Sequence, residues 1–266
     1  MSARMIDGPQ CRLNTRVDGA EGAPWIVLSN SLGATMEMWE PQMPLLTQHY
    51  RVLRYDTRGH GGSETAPGAF GFTELVADLV AVMDAHGVGR ADVMGLSLGG
   101  MTGLGLALNH PDRVHRLVCA DARADATEMF RQNFAGRAAK VREGGLEAVL
   151  DQTIDMWFTP EFIAANPETV AHVRAMVMSN DPAGYVATCE ALPTLDYLKD
   201  LGRIEAEVLY IVGDADKGAP PDTMRDMAER TPRGRFVEIA SAGHVANVNQ
   251  PAAYDAALVE FFGLKS

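Results

Sequence analysis

A serine, a histidine and an aspartate, each expected just after a strand, hold the chemistry of this 266-residue chain. Ser97 lies in Gly95-Leu96-Ser97-Leu98-Gly99, a G-x-S-x-G spacing. The preceding Asp92-Val93-Met94 reads as a strand, and Met101, Leu104 and Leu108 follow at helical spacing. A strand that turns abruptly into a helix strains the backbone at the serine. Glycine two residues to either side removes Cβ atoms that would collide there. The turn lifts the hydroxyl clear, at a helix N-terminus whose free N–H groups favour a developing negative charge. The bland alternative is a tight turn that happens to hold a serine, and the flanking strand and the Gly99-Gly100 pair weigh against it.

A serine hydroxyl is a weak nucleophile until a base takes its proton and a third group orients the base. His244, in Ser241-Ala242-Gly243-His244-Val245, follows the last expected strand. His60 is its rival, because it also follows a strand, but it sits in a glycine-rich turn ahead of Ser97. Asp216, in Gly213-Asp214-Ala215-Asp216, follows a strand and lies between Ser97 and His244 in the chain. Asp214, two residues away, and Asp121, after an earlier strand, remain open as the orienting acid. Two backbone N–H groups should converge on the carbonyl oxygen. Leu98 supplies one and the loop after the third strand the other, with Leu32 favoured over Ser31 and Gly33 shaping the path.

These residues need a parallel sheet to bring them to one edge. The first stretch, to about residue 19, predicts a hairpin with a turn at Asp7-Gly8-Pro9. Trp25-Ile26-Val27-Leu28 and Arg51-Val52-Leu53-Arg54-Tyr55-Asp56 read as strands, and 36–48 and 72–86 as helices. The alternation continues through the Ser97 strand and helix to a strand at 114–120, then stops. Residues 123–196 contain helical stretches at 130–142, 146–158, 167–178 and 183–191, too long a segment to be a loop. The pattern resumes with a strand at 207–213, a helix at 221–230, a strand at 235–240 and a closing helix at 251–262. That order predicts a core of 1–122 and 197–266 with a helical cap of 123–196.

The composition, 47% hydrophobic and 22% charged, is that of a soluble globular protein. A formal charge of −12 argues against attraction to nucleic acid or anionic membranes. An anionic substrate would need a local cation. Cys11, Cys119 and Cys189 lie too far apart for a disulfide framework or a zinc site, and Cys119 reads as a core residue. Met1-Ser2-Ala3-Arg4-Met5 lacks the apolar core of a signal peptide, and no apolar run approaches a membrane span, so a cytoplasmic protein is expected. No cluster with metal-ligand spacing and no phosphate-binding fingerprint appears, so neither metal nor organic cofactor is expected.

Three stretches carry a resemblance: Leu28-Ser29-Asn30-Ser31-Leu32-Gly33, Leu53-Arg54-Tyr55-Asp56-Thr57-Arg58-Gly59-His60-Gly61, and Gly95-Leu96-Ser97-Leu98-Gly99-Gly100. Together with the order Ser97, Asp216, His244, they resemble the α/β-hydrolases, and within these the 3-oxoadipate enol-lactonases, in which Asn-Ser replaces the more common His-Gly. The resemblance implies an α/β-hydrolase fold, a mostly parallel eight-stranded sheet flanked by helices, with the cap inserted after the sixth strand. It also implies a serine hydrolase that cleaves a small carboxylated ester or lactone through an acyl-enzyme. Phe134 with Arg137 matches an aromatic–arginine pair of the family's cap, and Trp157 lies where the family has Arg-Trp-Phe, so these three are the implied substrate-binding residues. The chain departs from the family at Met156, where a second cation is lost, and at Cys119-Ala120-Asp121-Ala122. A solvated surface role is the alternative for Arg137. A general carboxylesterase, a C–C hydrolase or a perhydrolase could use the same triad, and a non-catalytic small-molecule receptor is the reading from a different class. A dehalogenase or epoxide hydrolase would carry Asp where this chain has Ser97.

Overall fold

Strands apolar along their whole length must be covered on both faces, and helices do the covering here. The computed structural model describes residues 3–265, so Met1 and Ser2 of the N-terminal stretch read above, and Ser266, lie outside the described residues. In chain order the first elements are β1 (Arg4–Asp7), β2 (Arg12–Asp18), β3 (Trp25–Ser29), α1 (Met43–His49), β4 (Arg51–Tyr55) and α2 (Phe72–Ala85). Then come β5 (Ala91–Leu96), α3 (Leu98–Asn109) and β6 (Val114–Ala120). Five helices follow: α4 (Glu128–Gly144), α5 (Glu147–Trp157), α6 (Pro160–Ala165), α7 (Pro167–Met178) and α8 (Pro182–Ala191). The chain closes with β7 (Glu207–Gly213), α9 (Pro221–Arg230), β8 (Gly234–Ile239), α10 (Ala246–Asn249) and α11 (Pro251–Phe262).

The eight strands form one sheet in the order β1-β2-β4-β3-β5-β6-β7-β8. The β1–β2 hairpin and the β2–β4 pair are antiparallel, and every other pair is parallel. Successive residues of a strand point to opposite faces. Along β7, Val208, Tyr210 and Val212 enter one apolar layer, and Leu209 and Ile211 enter the other. Leu79 of α2, Leu104 of α3 and Met227 of α9 cover the first layer, while Leu46 of α1 and Leu258 of α11 cover the second. The carboxyl ends of β3, β5, β6, β7 and β8 consequently share one edge of the sheet.

Between β6 and β7 the chain leaves the sheet for α4 to α8 and returns to where it left. Asp125 and Asp196 form an isolated antiparallel bridge. Ala126 N–H bonds the Leu195 carbonyl at 3.1 Å and Tyr197 N–H the Ala124 carbonyl at 2.7 Å. No helix among the described residues is long and apolar enough to cross a membrane.

The helix expected over 36–48 is a correction: the structure has a 3₁₀ turn at Met36–Gln42 and then α1. Pro41 lacks an N–H and its ring crowds the preceding turn, so the α-helix cannot run through it. Pro44 sits in the first turn of α1, where no N–H is needed. Two helices are absent from the reading above, α6 and α10, of six and four residues. Neither is long enough for a 3.6-residue period to emerge. For α6 a usable signal exists in Thr159-Pro160: the Thr159 hydroxyl accepts the Phe162 N–H, and Pro160 occupies the first turn.

Candidate active site

The turn from β5 into α3 is as sharp as its glycines suggest. Ser97 has φ 54° and ψ −114°, outside the regions that L-residues prefer. A Cβ on Gly95 would lie 2.2 Å from the Gly99 carbonyl oxygen, and one on Gly99 would lie 2.1 Å from that of Ser29. The strained residue is held from the next strand, its N–H donating to the Ala120 carbonyl at 2.8 Å.

Ser97 Oγ lies 2.9 Å from His244 Nε2, and His244 Nδ1 lies 2.9 Å from Asp216 Oδ2. The other Asp216 oxygen accepts the N–H groups of Gly218 at 2.7 Å and Ala219 at 3.2 Å. With Oδ1 so occupied, Oδ2 is left for the imidazole. The structure therefore brings together the three residues singled out above, from the ends of β5, β7 and β8. Asp214 is not among them: its Oδ1 accepts the Ala242 N–H at 3.1 Å and ties two loops together. Nor is His60, which is fully buried, with Nδ1 3.1 Å from the Arg58 carbonyl.

Asp121 lies close by, fully buried, with φ 46°. Its Oδ1 accepts the Gly213 N–H at 3.0 Å. Burial, and then the neighbouring Asp216, push its pKa well above the ordinary carboxylate range.

Leu32, Leu98, Ser97 and His244 line one cavity of about 210 Å³. Leu98 opens α3, where backbone N–H groups have no acceptor one turn back. Ser31 N–H is directed elsewhere, to Met38 Sδ at 3.4 Å. Asn30 is also turned away from the cavity, donating to the Tyr55 carbonyl at 2.7 Å and accepting from Trp39 Nε1 at 3.0 Å. The Asn-Ser pair thus anchors the loop that carries Leu32.

The opposite wall comes from α4 and α5. Phe134, Arg137 and Met156 line the cavity, and Trp157 joins them in a recess that continues from it. Arg137 is buried, not a solvated surface residue. Its Nε donates to Tyr185 Oη and its Nη2 to Thr153 Oγ1, with the Tyr185 ring beside the guanidinium. No carboxylate among the described residues forms an ion pair with it. A buried cation with only neutral partners is costly, and an anion entering the cavity would offset that cost. Lys217 adds positive charge to the same lining, and so does Arg123, which is paired with Asp125 at 3.3 Å.

Tyr185 and Thr153 escaped the sequence reading. Thr153 could have been found, because it lies three and four residues before Met156 and Trp157 and so shares their face of α5. Tyr185, on α8, has no local signal linking it to Arg137. Among the described residues, no group of three or more His, Cys, Asp or Glu side chains is arranged to hold a metal ion.

With this geometry in view, similarity to known proteins is informative. A family model described as the alpha/beta hydrolase fold matches residues 24–251. The chain is 35% identical to 3-oxoadipate enol-lactonase 2 of Acinetobacter baylyi, over 92% of this chain and 91% of that one. It is 31% identical to RutD of Caulobacter segnis, a protein named as a carbamate hydrolase, over 90% of this chain and 91% of the relative. The crystal structure of the enol-lactonase from Burkholderia xenovorans LB400 superposes with a TM-score of 0.93 at 35% identity, covering 98% of this chain and all of that one.

Proposed function

The chain belongs to the alpha/beta hydrolase fold family, and from that premise we propose that it is a serine hydrolase opening a small carboxylated lactone or ester, in the manner of a 3-oxoadipate enol-lactonase. Ser97 attacks the acyl carbonyl while His244 Nε2 takes its proton. Asp216 holds Nδ1–H, fixing the tautomer and stabilising the imidazolium. The Leu98 and Leu32 amides receive the oxyanion. His244 returns that proton to the leaving oxygen of the lactone, and the enol so released becomes a ketone, so the step runs downhill. His244, neutral again, takes a proton from a water that attacks the acyl-enzyme, and returns it to Ser97 Oγ as the acid leaves. The reaction so written draws on no metal or cofactor. Residues 123–196 act as the lid, because they supply Phe134, Arg137 and Trp157 opposite Ser97.

One observation carries this reading: a buried guanidinium with no ion-paired carboxylate among the described residues shares a cavity with the Ser97–His244–Asp216 chain of hydrogen bonds. A carboxylate on Arg137 is shielded from water and gains more than an exposed pair would. Arg137→Met should raise KM for a carboxylated lactone about tenfold to a hundredfold, the range of a charge-assisted contact. It should leave p-nitrophenyl acetate almost untouched. Equal effects on both substrates would make Arg137 structural.

A second reading has its own support. Met156 stands where a second cation is lost, the cavity is otherwise largely apolar, and RutD is a near relative. A neutral ester or a carbamate would suit such a lining. A panel of carboxylated lactones, neutral esters and carbamates separates the two, and a marked preference for neutral substrates would sink the lactonase reading.

A further inference from the structure

A single side chain brackets His244. Asn249, the last residue of α10, is buried. Its Oδ1 accepts the Gly243 N–H at 3.1 Å. Its Nδ2 donates to the Val245 carbonyl at 2.8 Å and to the Trp157 carbonyl at 3.1 Å. The residues before and after His244 are thus tied to the same amide, and so is the last residue of α5. Both amide protons and the carbonyl oxygen are used, a pattern that no charged or apolar side chain reproduces.

The backbone's own links across this seam are weaker. His244 N–H reaches the Met156 carbonyl, and Val245 N–H the Trp157 carbonyl, both at 3.4 Å. The chains are nonetheless in close contact, since a Cβ on Gly243 would lie 2.6 Å from the Trp157 carbonyl oxygen. Asn249 therefore supplies the shorter bond across the seam to the end of α5, at 3.1 Å, while its other two bonds fix the histidine loop to the same amide.

We propose that Asn249 is a positioning residue for His244, locking the histidine loop to α5 so that the imidazole and the Met156–Trp157 wall of the cavity are held as one unit. This rests on the reading of His244 as the base for Ser97. His244 must meet Ser97 and Asp216 at once, both at 2.9 Å. A misplacement of about 1 Å can cost on the order of a hundredfold in rate.

The test compares the unmodified protein with Asn249→Leu, which keeps the branched shape but removes all three hydrogen bonds, and with Gly243→Ala, which pushes the same seam apart without removing a polar group. Both should lower kcat about tenfold to a hundredfold on a carboxylated lactone and on p-nitrophenyl acetate alike, with KM held within about twofold. The rate of labelling by a fluorophosphonate should fall in proportion to kcat. In the unmodified protein the Gly243 amide should exchange its hydrogen slowly, a readout that holds if either variant fails to fold. A lower melting temperature with unchanged kcat would overturn the role, as would a KM effect confined to the carboxylated lactone, or a Gly243 amide that exchanges like an open loop. An unmodified protein that neither turns over nor labels would overturn the reading of His244 itself, and this role with it.

Discussion

At Asp121 a carboxyl is buried on all sides, beside a second one at Asp216, with its backbone in the left-handed region. A carboxyl whose folded pKa is raised costs stability once the pH passes its unfolded value of about 3.9, and the cost grows until the folded pKa is reached. Asn keeps the oxygen that accepts the Gly213 N–H, tolerates a positive φ and never ionises. Asp121→Asn should therefore raise the melting temperature at pH 7 by roughly 2–4 °C for each kcal/mol relieved, with the gain shrinking once pH falls below the raised folded pKa and gone below about 4. Turnover should survive it, whereas Asp216→Asn should lower kcat by up to about 10⁴-fold, as loss of the correct imidazole tautomer does elsewhere. Thermal melts across pH, with kcat for both variants, check this. Ser97, His244 and Asp216 were legible in the sequence because each follows a recognisable strand, and strand ends in a parallel sheet share an edge. Asp214 could not be separated from Asp216 by pattern, since only the fold shows which carboxylate caps the Ala242 amide. Tyr185 and the Asn249–Trp157 contact were invisible for the same reason: Arg137 and Trp157 lie far away in the chain from them.

Arg58 joins two elements that the site depends on. It leaves the end of β4 and meets Asp78 of α2 through two bonds, at 2.6 and 2.7 Å, with both side chains buried and the Phe70 ring under the guanidinium. Burial pushes the Asp78 carboxyl up even so, because desolvation outweighs the arginine's pull. A neutral partner would leave that carboxyl unpaired in the interior. Arg58→Met should therefore destabilise the fold by about 3–5 kcal/mol, read by denaturant unfolding at neutral pH, and the loss should shrink as acid protonates Asp78. A change below about 1 kcal/mol would mean that water reaches the pair. Long elements were readable at this scale because their periods repeat: α7, α9, α11, β6 and β7 fall where the pattern puts them. The broken helix over 36–48 shows what periodicity omits. Its apolar spacing is helical, but Pro41 withholds the bond that would carry the helix through.

The whole molecule carries a formal charge of −12, yet Arg123, Arg137 and Lys217 line the cavity over Ser97. Asp121 is the one carboxyl in that lining among the described residues, and its raised pKa weakens its opposition to them. Charge of one sign gathered in a cleft raises the local concentration of the opposite ion, so the distribution supports the proposed carboxylated substrate, although Asp125, 3.3 Å from Arg123, offsets part of it. Composition reveals the total but not this asymmetry, because Lys217 and Arg123 are distant from Arg137 in the chain. The architecture itself was largely legible, since alternating strands and helices with right-handed crossovers leave few sheet orders available. All of it converges on a nucleophile at Ser97, and an intact-mass measurement after treatment with a fluorophosphonate tests that most directly. The unmodified protein should gain a single adduct that maps to Ser97, lost in Ser97→Ala and slowed by several orders of magnitude in His244→Ala, with turnover falling in parallel. An adduct elsewhere, or no adduct while Ser97→Ala still hydrolyses its substrate, would contradict it.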